Sequence, residues 1–325
     1  MPVPDQSKAS RREFLAAATV AAGVPLLAGA QAPPAAARPA APVRAATAAA
    51  AGMVTVGREN SMPIDLYVED HGSGRPVVLL HGWPLAGTAF EKQVPALLAA
   101  GHRVITYDMR GFGRSSQPAT GYDFATLADD LHNLMARMEL RDVALVGHSL
   151  GTGEVATYIG KYGTGRVRKA VLISALPFFL RTPDNPTGVD PAVVDQTQRA
   201  ILADRPAFLT GLFKNFYNAD VNLGRRVSAE VLQGSWNTAY AGSAIGTHAV
   251  VASWREDLRP HLPRIDVPTL VIHGGDDRIL PHATTAVPTT RAIRGARLVT
   301  VAGGPHLVPW THGDEVNRAL VEFLA

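Results

Sequence analysis

The sequence predicts an α/β fold, with a mostly parallel, twisted sheet, helices on both of its faces and a helical cap inserted between two strands. One observation is a series of short apolar runs alternating with helical stretches, near residues 64–68, 76–80, 103–107, 143–148, 169–174, 268–272 and 297–301. Another is a glycine-rich turn at 147–151 that joins a strand to a helix. The third is the stretch from about 178 to 257, which has helical patterns and no buried strand.

The first thirty residues have the pattern of an export signal. Ser10-Arg11-Arg12-Glu13-Phe14-Leu15 resembles a twin-arginine motif, and an alanine-rich apolar stretch follows it to Ala30. That stretch is short and contains Pro25, so a lasting membrane span is not expected. We therefore expect residues 1–30 to be a twin-arginine signal peptide and the mature protein to be periplasmic or secreted. The alternative is an alanine-rich tail with a chance arginine pair.

Residues 31–52 are rich in Ala and Pro and predict a disordered linker. The globular domain is expected at 53–325, with the helical cap at about 178–257. Its composition supports a sizeable core, since 46% of the chain is hydrophobic and 18% is charged.

Charge and residue types exclude several classes of function. Removal of residues 1–30 takes away three basic and two acidic side chains, so the net charge falls from +3 to +2 and gives no argument for nucleic acid. The chain has no cysteine, which excludes disulfides, thiolate metal sites and cysteine nucleophiles. No H-x-x-x-H or H-E-x-x-H spacing occurs, so a metal site is not expected.

The turn Gly147-His148-Ser149-Leu150-Gly151 has the pattern of a nucleophile elbow. The apolar run Val143–Val146 ends at the first glycine, and helical spacing begins soon after the second. A tight strand-to-helix corner needs glycine on both sides of the serine because larger side chains collide with backbone there. Ser149 is therefore the predicted nucleophile, while His148 is expected to serve only as elbow backbone.

An acid and a base follow the serine at two later strand ends. Asp277 comes after the run 268–272 and His306 after the run 297–301. The carboxyl ends of parallel strands meet at one sheet edge, so both side chains are expected beside Ser149 in the chain order Ser, Asp, His. Asp276, one residue earlier, is expected to point elsewhere.

The predicted oxyanion hole consists of two backbone N–H groups, those of Leu150 and Trp83. Trp83 follows the early strand 76–80, and the next residue, Pro84, has no N–H to offer. The Trp83 ring is expected to pack under its loop, and the nearby His81 is interpreted as a structural loop histidine. In the cap, the apolar candidates to wall the pocket are Phe178, Phe179, Phe213, Phe216 and Trp236, and for each one taken singly the sequence favours ordinary packing in the cap core.

Four stretches carry a resemblance to a known family. They are HGWPL at 81–85, YDMRGFGRSSQP at 107–118, GHSLGTGE at 147–154 and GGPHLVPWTH at 303–312. With YDFATLADDL at 122–131 and TPDNPTGV at 182–189, they make residues from about 53 to 325 similar to the cofactor-free haloperoxidase and arylesterase group of the α/β-hydrolase superfamily.

The resemblance implies a small-acyl esterase that also runs perhydrolysis, with hydrogen peroxide replacing water and the released peracid oxidising halide. It places the catalytic roles on Ser149, Asp277 and His306, and Pro84 resembles the variant of the peroxide-accepting branch. Two departures from the family pattern are Leu150-Gly151-Thr152, where Met-Gly-Gly is usual, and Leu307, where glycine is usual. Pro84 and Leu307 thus join the pocket candidates.

The predicted function is hydrolysis of small carboxylic esters through an acyl-serine intermediate, with perhydrolysis on the same site. The expected partners are a small ester or carboxylic acid and hydrogen peroxide. Lactone or carbon–carbon bond hydrolysis would use the same triad and is the alternative within enzymes. A non-catalytic binding protein with the same fold is the alternative outside them.

Overall fold

The computed structural model describes residues 50–325, in which eight strands form one sheet. The strands are β1 (Ala50–Glu59), β2 (Met62–Gly72), β3 (Pro76–Leu80), β4 (Arg103–Tyr107), β5 (Val143–His148), β6 (Val167–Ile173), β7 (Thr269–Gly274) and β8 (Arg297–Val301). Their order across the sheet is β1-β2-β4-β3-β5-β6-β7-β8. The β1–β2 and β2–β4 pairs are antiparallel and the other pairs are parallel. The predicted fold class is confirmed.

Helices cover both faces of this sheet. They are α1 (Gln93–Ala99), α2 (Phe124–Arg137), α3 (Leu150–Tyr162), α4 (Ala192–Phe216), α5 (Ala219–Asn222), α6 (Ala229–Ala241), α7 (Ala244–Ala249), α8 (Ala286–Ala292), α9 (Val308–Thr311) and α10 (Gly313–Leu324). Short 3₁₀ helices span Gly87–Phe90, Val250–Arg255 and Arg259–Arg264.

The sheet separates two apolar cores, because successive side chains of a strand point to opposite faces. In β3, Val78 and Leu80 pack in the core that holds α2 and α3, while Val77 and Leu79 pack in the core that holds α1 and α10. The strands from β3 to β7 are therefore buried on both faces. Their carboxyl ends emerge at one edge, which is where the elbow lies.

The first strand was not predicted. Residues 50–52 were assigned to the linker, but β1 begins at Ala50 and pairs with β2 in an antiparallel register, with Met53 opposite Tyr67. The first residues of β1 are rich in Ala and Gly, which have low strand propensity, so the sequence gives little indication of a strand there. Pairing with β2 holds these residues in the sheet. The predicted signal peptide, 1–30, and the linker up to residue 49 lie outside the described residues.

Helices α4 to α7 occupy the segment between β6 and β7. The long helix α4 is interrupted at Asp204, where φ is −160° and ψ is 87°. Pro206 follows two residues later, and the Asp204 carboxylate accepts a hydrogen bond from the Ala207 amide at 2.9 Å. The break has a clear cause, since proline cannot donate the backbone hydrogen bond and aspartate caps the second half.

Candidate active site

Ser149 stands at the corner between β5 and α3 with a left-handed backbone, φ 51° and ψ −114°. A Cβ on Gly147 would collide with the carbonyl of Gly151, and a Cβ on Gly151 would collide with the carbonyl of Leu80. Both flanking glycines are thus required by close backbone approach, as the motif predicts. The corner holds the Ser149 side chain at the carboxyl edge of the sheet.

Three side chains distant in the sequence form one chain of hydrogen bonds. Oγ of Ser149 lies 2.9 Å from Nε2 of His306, and Nδ1 of His306 lies 2.8 Å from Oδ2 of Asp277. The imidazole and the carboxylate are fully buried. With the carboxylate accepting from Nδ1, Nε2 is left to accept the serine proton. The arrangement is able to generate a serine nucleophile.

The Asp277 carboxylate is held ionised by its surroundings. Burial alone would raise its pKa, but the imidazoles of His306 and His273 bring the pKa well below the ordinary value. In addition, Oδ1 accepts hydrogen bonds from the amides of Ile279 and Leu280, at 2.9 and 2.8 Å. Both carboxylate oxygens therefore accept hydrogen bonds, and the carboxylate has a fixed orientation.

The amides of Trp83 and Leu150 flank the same serine. Leu150 N–H is at the first position of α3, where no intrahelical partner exists. Across residues 50–325 neither of these two amides donates a hydrogen bond to another group. Both residues line the cavity at Ser149. Two unpaired donors at such a cavity are suited to a developing oxyanion.

The cavity at Ser149 is small and apolar. Its volume is about 40 Å³, and its lining consists of Trp83, Ser149, Leu150, Leu176, Phe179, Phe216, Trp254, Ile279 and Leu280. The Trp83 ring is buried in the apolar core next to this cavity. It meets Trp254 edge-on at 5.0 Å between ring centroids, and its Nε1–H donates to the Thr247 carbonyl at 3.2 Å.

Three of the predicted pocket residues, Phe178, Trp236 and Pro84, are not part of this lining. Phe178 is adjacent to the lining residue Phe179 but does not line the cavity, and its ring lies 5.9 Å from the Arg259 guanidinium. Trp236 stacks on Tyr240 instead, at 4.8 Å. Pro84 is buried in its loop without reaching the lining.

Leu307 also lies outside this lining and belongs to a second cavity of about 350 Å³. Its side chain packs there beside Leu85 and Trp310. The same apolar cluster contains Phe216, which does line the cavity at Ser149. Leu307 and a wall of the cavity at Ser149 therefore belong to one apolar cluster.

Four lining residues were missed by sequence reasoning. Leu176 follows the carboxyl end of β6, and Ile279 and Leu280 follow Asp277, so their positions just beyond strand ends were a usable signal. Trp254 had none, because it reaches the cavity from a 3₁₀ helix through packing alone. His81 is structural as predicted, since its Nδ1 bonds the Gly82 carbonyl and its Nε2 accepts the Met109 amide.

The described part of the chain contains no cluster of three or more acidic or histidine side chains placed to hold a metal ion. Within residues 50–325, none of the helices combines the length and the apolar character that crossing a bilayer requires.

Comparison with known proteins extends these findings. The family model described as alpha/beta hydrolase fold matches residues 75–313. A protein of Synechocystis sp. named "Putative non-heme chloroperoxidase" is 56% identical over 272 residues, which are 83% of this chain and 99% of that protein. The "Bifunctional esterase/perhydrolase DCH" of Acinetobacter calcoaceticus is 32% identical over 80% of this chain and 96% of its own length.

A solved structure is also similar to this chain. The bromoperoxidase from Bacillus anthracis superposes with a TM-score of 0.81 at 42% sequence identity, covering 85% of this chain and 99% of that one.

Proposed function

The chain belongs to the α/β-hydrolase family, among relatives named as non-heme haloperoxidases, and from this premise we propose that it is a serine esterase for small carboxylic esters. The observation that carries the proposal is the continuous hydrogen-bond chain from Ser149 through His306 to Asp277. Each member lies within 2.9 Å of the next, and the base and the acid are buried.

The proposed reaction begins with attack of Ser149 Oγ on the ester carbonyl, while His306 Nε2 takes the hydroxyl proton. The amides of Trp83 and Leu150 hold the tetrahedral oxyanion, a contribution worth about 2.7–4 kcal/mol per donor in comparable sites. His306 then protonates the departing alcohol. Water, deprotonated by the same imidazole, releases the acid and restores the serine.

The cavity at Ser149 supports the proposed substrate class. A volume of about 40 Å³ with an apolar lining suits a short acyl chain. No charged side chain lines the cavity, so a neutral ester enters without leaving an unpaired buried charge. Acetate and propionate esters are the proposed substrates.

We further propose that hydrogen peroxide competes with water for the acyl-serine. The peroxide oxygen bonds to the acyl carbon, the bond to Ser149 Oγ breaks, and His306 returns the peroxide proton to the serine. The products are a peracid and the free enzyme, and the peracid then oxidises halide in solution. Relatives named as chloroperoxidase and as esterase/perhydrolase support this part of the proposal.

The test measures p-nitrophenyl acetate hydrolysis and peroxide-dependent bromide oxidation on the same preparation. Pro84→Leu is the informative variant, because residue 84 directly follows the proposed oxyanion donor Trp83. We expect the ratio of halide oxidation to ester hydrolysis to fall in this variant. An unchanged ratio contradicts the role given to Pro84, and absence of bromide oxidation in the unaltered protein contradicts the perhydrolase proposal.

Export by the twin-arginine route is proposed as well, on the basis of Arg11, Arg12 and the apolar stretch after them. Replacing both arginines by lysine should keep the protein in the cytoplasm of the producing cell. The matched control replaces Arg38 and Arg44 by lysine and should leave export unchanged. Equal export of both variants contradicts the proposal.

A further inference from the structure

We propose that His148 is a positioning residue, which fixes the loop of the base His306 by donating a hydrogen bond to the main-chain carbonyl of that residue. This rests on the proposed function, in which His306 acts on Ser149. Sequence reasoning gave His148 no role beyond elbow backbone, and the structure gives it a specific contact.

The contact is short and buried. Nε2 of His148 lies 3.0 Å from the carbonyl oxygen of His306, and only 1% of His148 is exposed. The Ser174 hydroxyl donates to the same oxygen, also at 3.0 Å. The two imidazole rings lie 5.2 Å apart between centroids. Two side chains from the ends of β5 and β6 thus hold one peptide group beside the base.

The protonation state of His148 follows from this geometry. A carbonyl oxygen only accepts, so the proton of His148 must be on Nε2. Burial, with the nearby His306 imidazole, lowers the pKa of His148 to about 3, so the ring stays neutral and Nδ1 carries no proton.

The other edge of the ring faces the proposed oxyanion loop. A Cβ placed on Gly82 would lie 2.7 Å from Nδ1 of His148 and 3.0 Å from Cβ of Ser149. Gly82 immediately precedes Trp83, whose amide is a proposed oxyanion donor. His148 therefore lies between the loop that carries this donor and the loop that carries the base.

This placement has a consequence for catalysis. His306 must bond Asp277 and Ser149 at once, at 2.8 and 2.9 Å, and rotation of the peptide after His306 would lengthen one of these bonds. A misplacement of about 1 Å can cost on the order of 100-fold in rate. A donor on His148 reduces that freedom without touching the substrate.

The experiment compares His148→Met, which keeps bulk but removes the donor, with His148→Gln, which places an amide N–H near the position of Nε2. Turnover of p-nitrophenyl acetate is expressed per active site titrated with a fluorophosphonate. We expect His148→Met to lower kcat by about 10- to 100-fold with little change in KM. The Gln variant should recover kcat to within about threefold of the unaltered protein.

Two controls keep the outcome interpretable. His102→Met alters another buried histidine, at the opposite edge of the sheet before β4, and should leave kcat unchanged. Ser174→Ala removes the second donor to the same carbonyl and should lower kcat in the same direction, even if His148→Met does not fold. An unchanged kcat per titrated site in His148→Met overturns the proposal; if that variant does not fold, an unchanged kcat in Ser174→Ala does so. A His148→Gln variant that is as slow as His148→Met also overturns it. Failure of the unaltered protein to label or turn over is a failure of the proposed function instead.

Discussion

Oδ2 of Asp277 accepts a hydrogen bond from Nδ1 of His306 at 2.8 Å, while its Oδ1 is held by two loop amides. The carboxylate therefore cannot turn away from the imidazole. This fixes the proton on Nδ1 and leaves Nε2 as the acceptor for Ser149. Asp277 therefore supplies the orientation of the His306 imidazole as well as a negative charge beside it.

Asp277→Asn should accordingly reduce kcat for ester hydrolysis on the order of 10³- to 10⁴-fold. The amide oxygen takes the place of Oδ1, so its NH₂ faces His306 and favours the wrong imidazole tautomer. Steady-state kinetics on p-nitrophenyl acetate measure the effect. Asp276→Asn is the matched control, because Asp276 is exposed and should retain nearly full activity. Equal losses in the two variants would contradict the assignment.

Leu307→Gly should widen the range of esters accepted. The Leu307 side chain lines the cavity of about 350 Å³ and packs in one cluster with Phe216, a wall of the cavity at Ser149. Its removal opens space next to His306, so the rate on p-nitrophenyl butyrate relative to acetate is expected to rise at least tenfold, by about 1.4 kcal/mol.

Val231→Ala enlarges the same 350 Å³ cavity from helix α6 and serves as the control for this prediction. It should leave the acyl preference unchanged. An unaltered butyrate-to-acetate ratio in Leu307→Gly would show that Leu307 does not limit the site. The Leu307→Gly variant is also expected to lose stability, on the order of 2–5 kcal/mol in its free energy of unfolding, because a large side chain is removed from a packed position.

Glu154→Gln should change how stability depends on pH. Oε1 of Glu154 accepts a hydrogen bond from the Tyr107 hydroxyl at 2.5 Å, and among the described residues Oε2 has no hydrogen-bond partner. Burial raises the pKa of Glu154 to about 8. Between pH 4.5 and 8 the folded protein thus holds a proton that the unfolded chain has released, and stability falls as pH rises through this window.

The size of this effect at pH 7 is about 3 kcal/mol. Urea unfolding at pH 5, 6, 7 and 8 measures it. Because glutamine does not ionise, the variant should show a flatter profile than the unaltered protein and a higher relative stability at pH 8. Parallel profiles for the two proteins would contradict the assigned ionisation.

Sequence reasoning succeeded where backbone topology determines position. Ser149, Asp277 and His306 follow the carboxyl ends of β5, β7 and β8, and the parallel strands bring these ends to one edge. The elbow glycines were predictable because the tight corner leaves no room for a Cβ. These features depend on chain order and local sterics, which a sequence displays directly.

Pocket walls depend instead on packing between elements. Phe178 and Phe179 are adjacent and chemically alike, yet only Phe179 faces the cavity at Ser149. Trp254 reaches it from a 3₁₀ helix some 100 residues after the elbow, and no periodicity predicts that approach. The contact of His148 with the His306 carbonyl was missed for the same reason, since the two residues meet only through the tertiary fold.

The most direct test of the central claim is covalent labelling of Ser149 by a fluorophosphonate, followed by intact mass and peptide mapping. The account predicts one adduct per chain, located on Ser149, and loss of both the adduct and p-nitrophenyl acetate turnover in Ser149→Ala with the far-ultraviolet circular dichroism unchanged. Labelling at another residue, or undiminished turnover in Ser149→Ala, would contradict it.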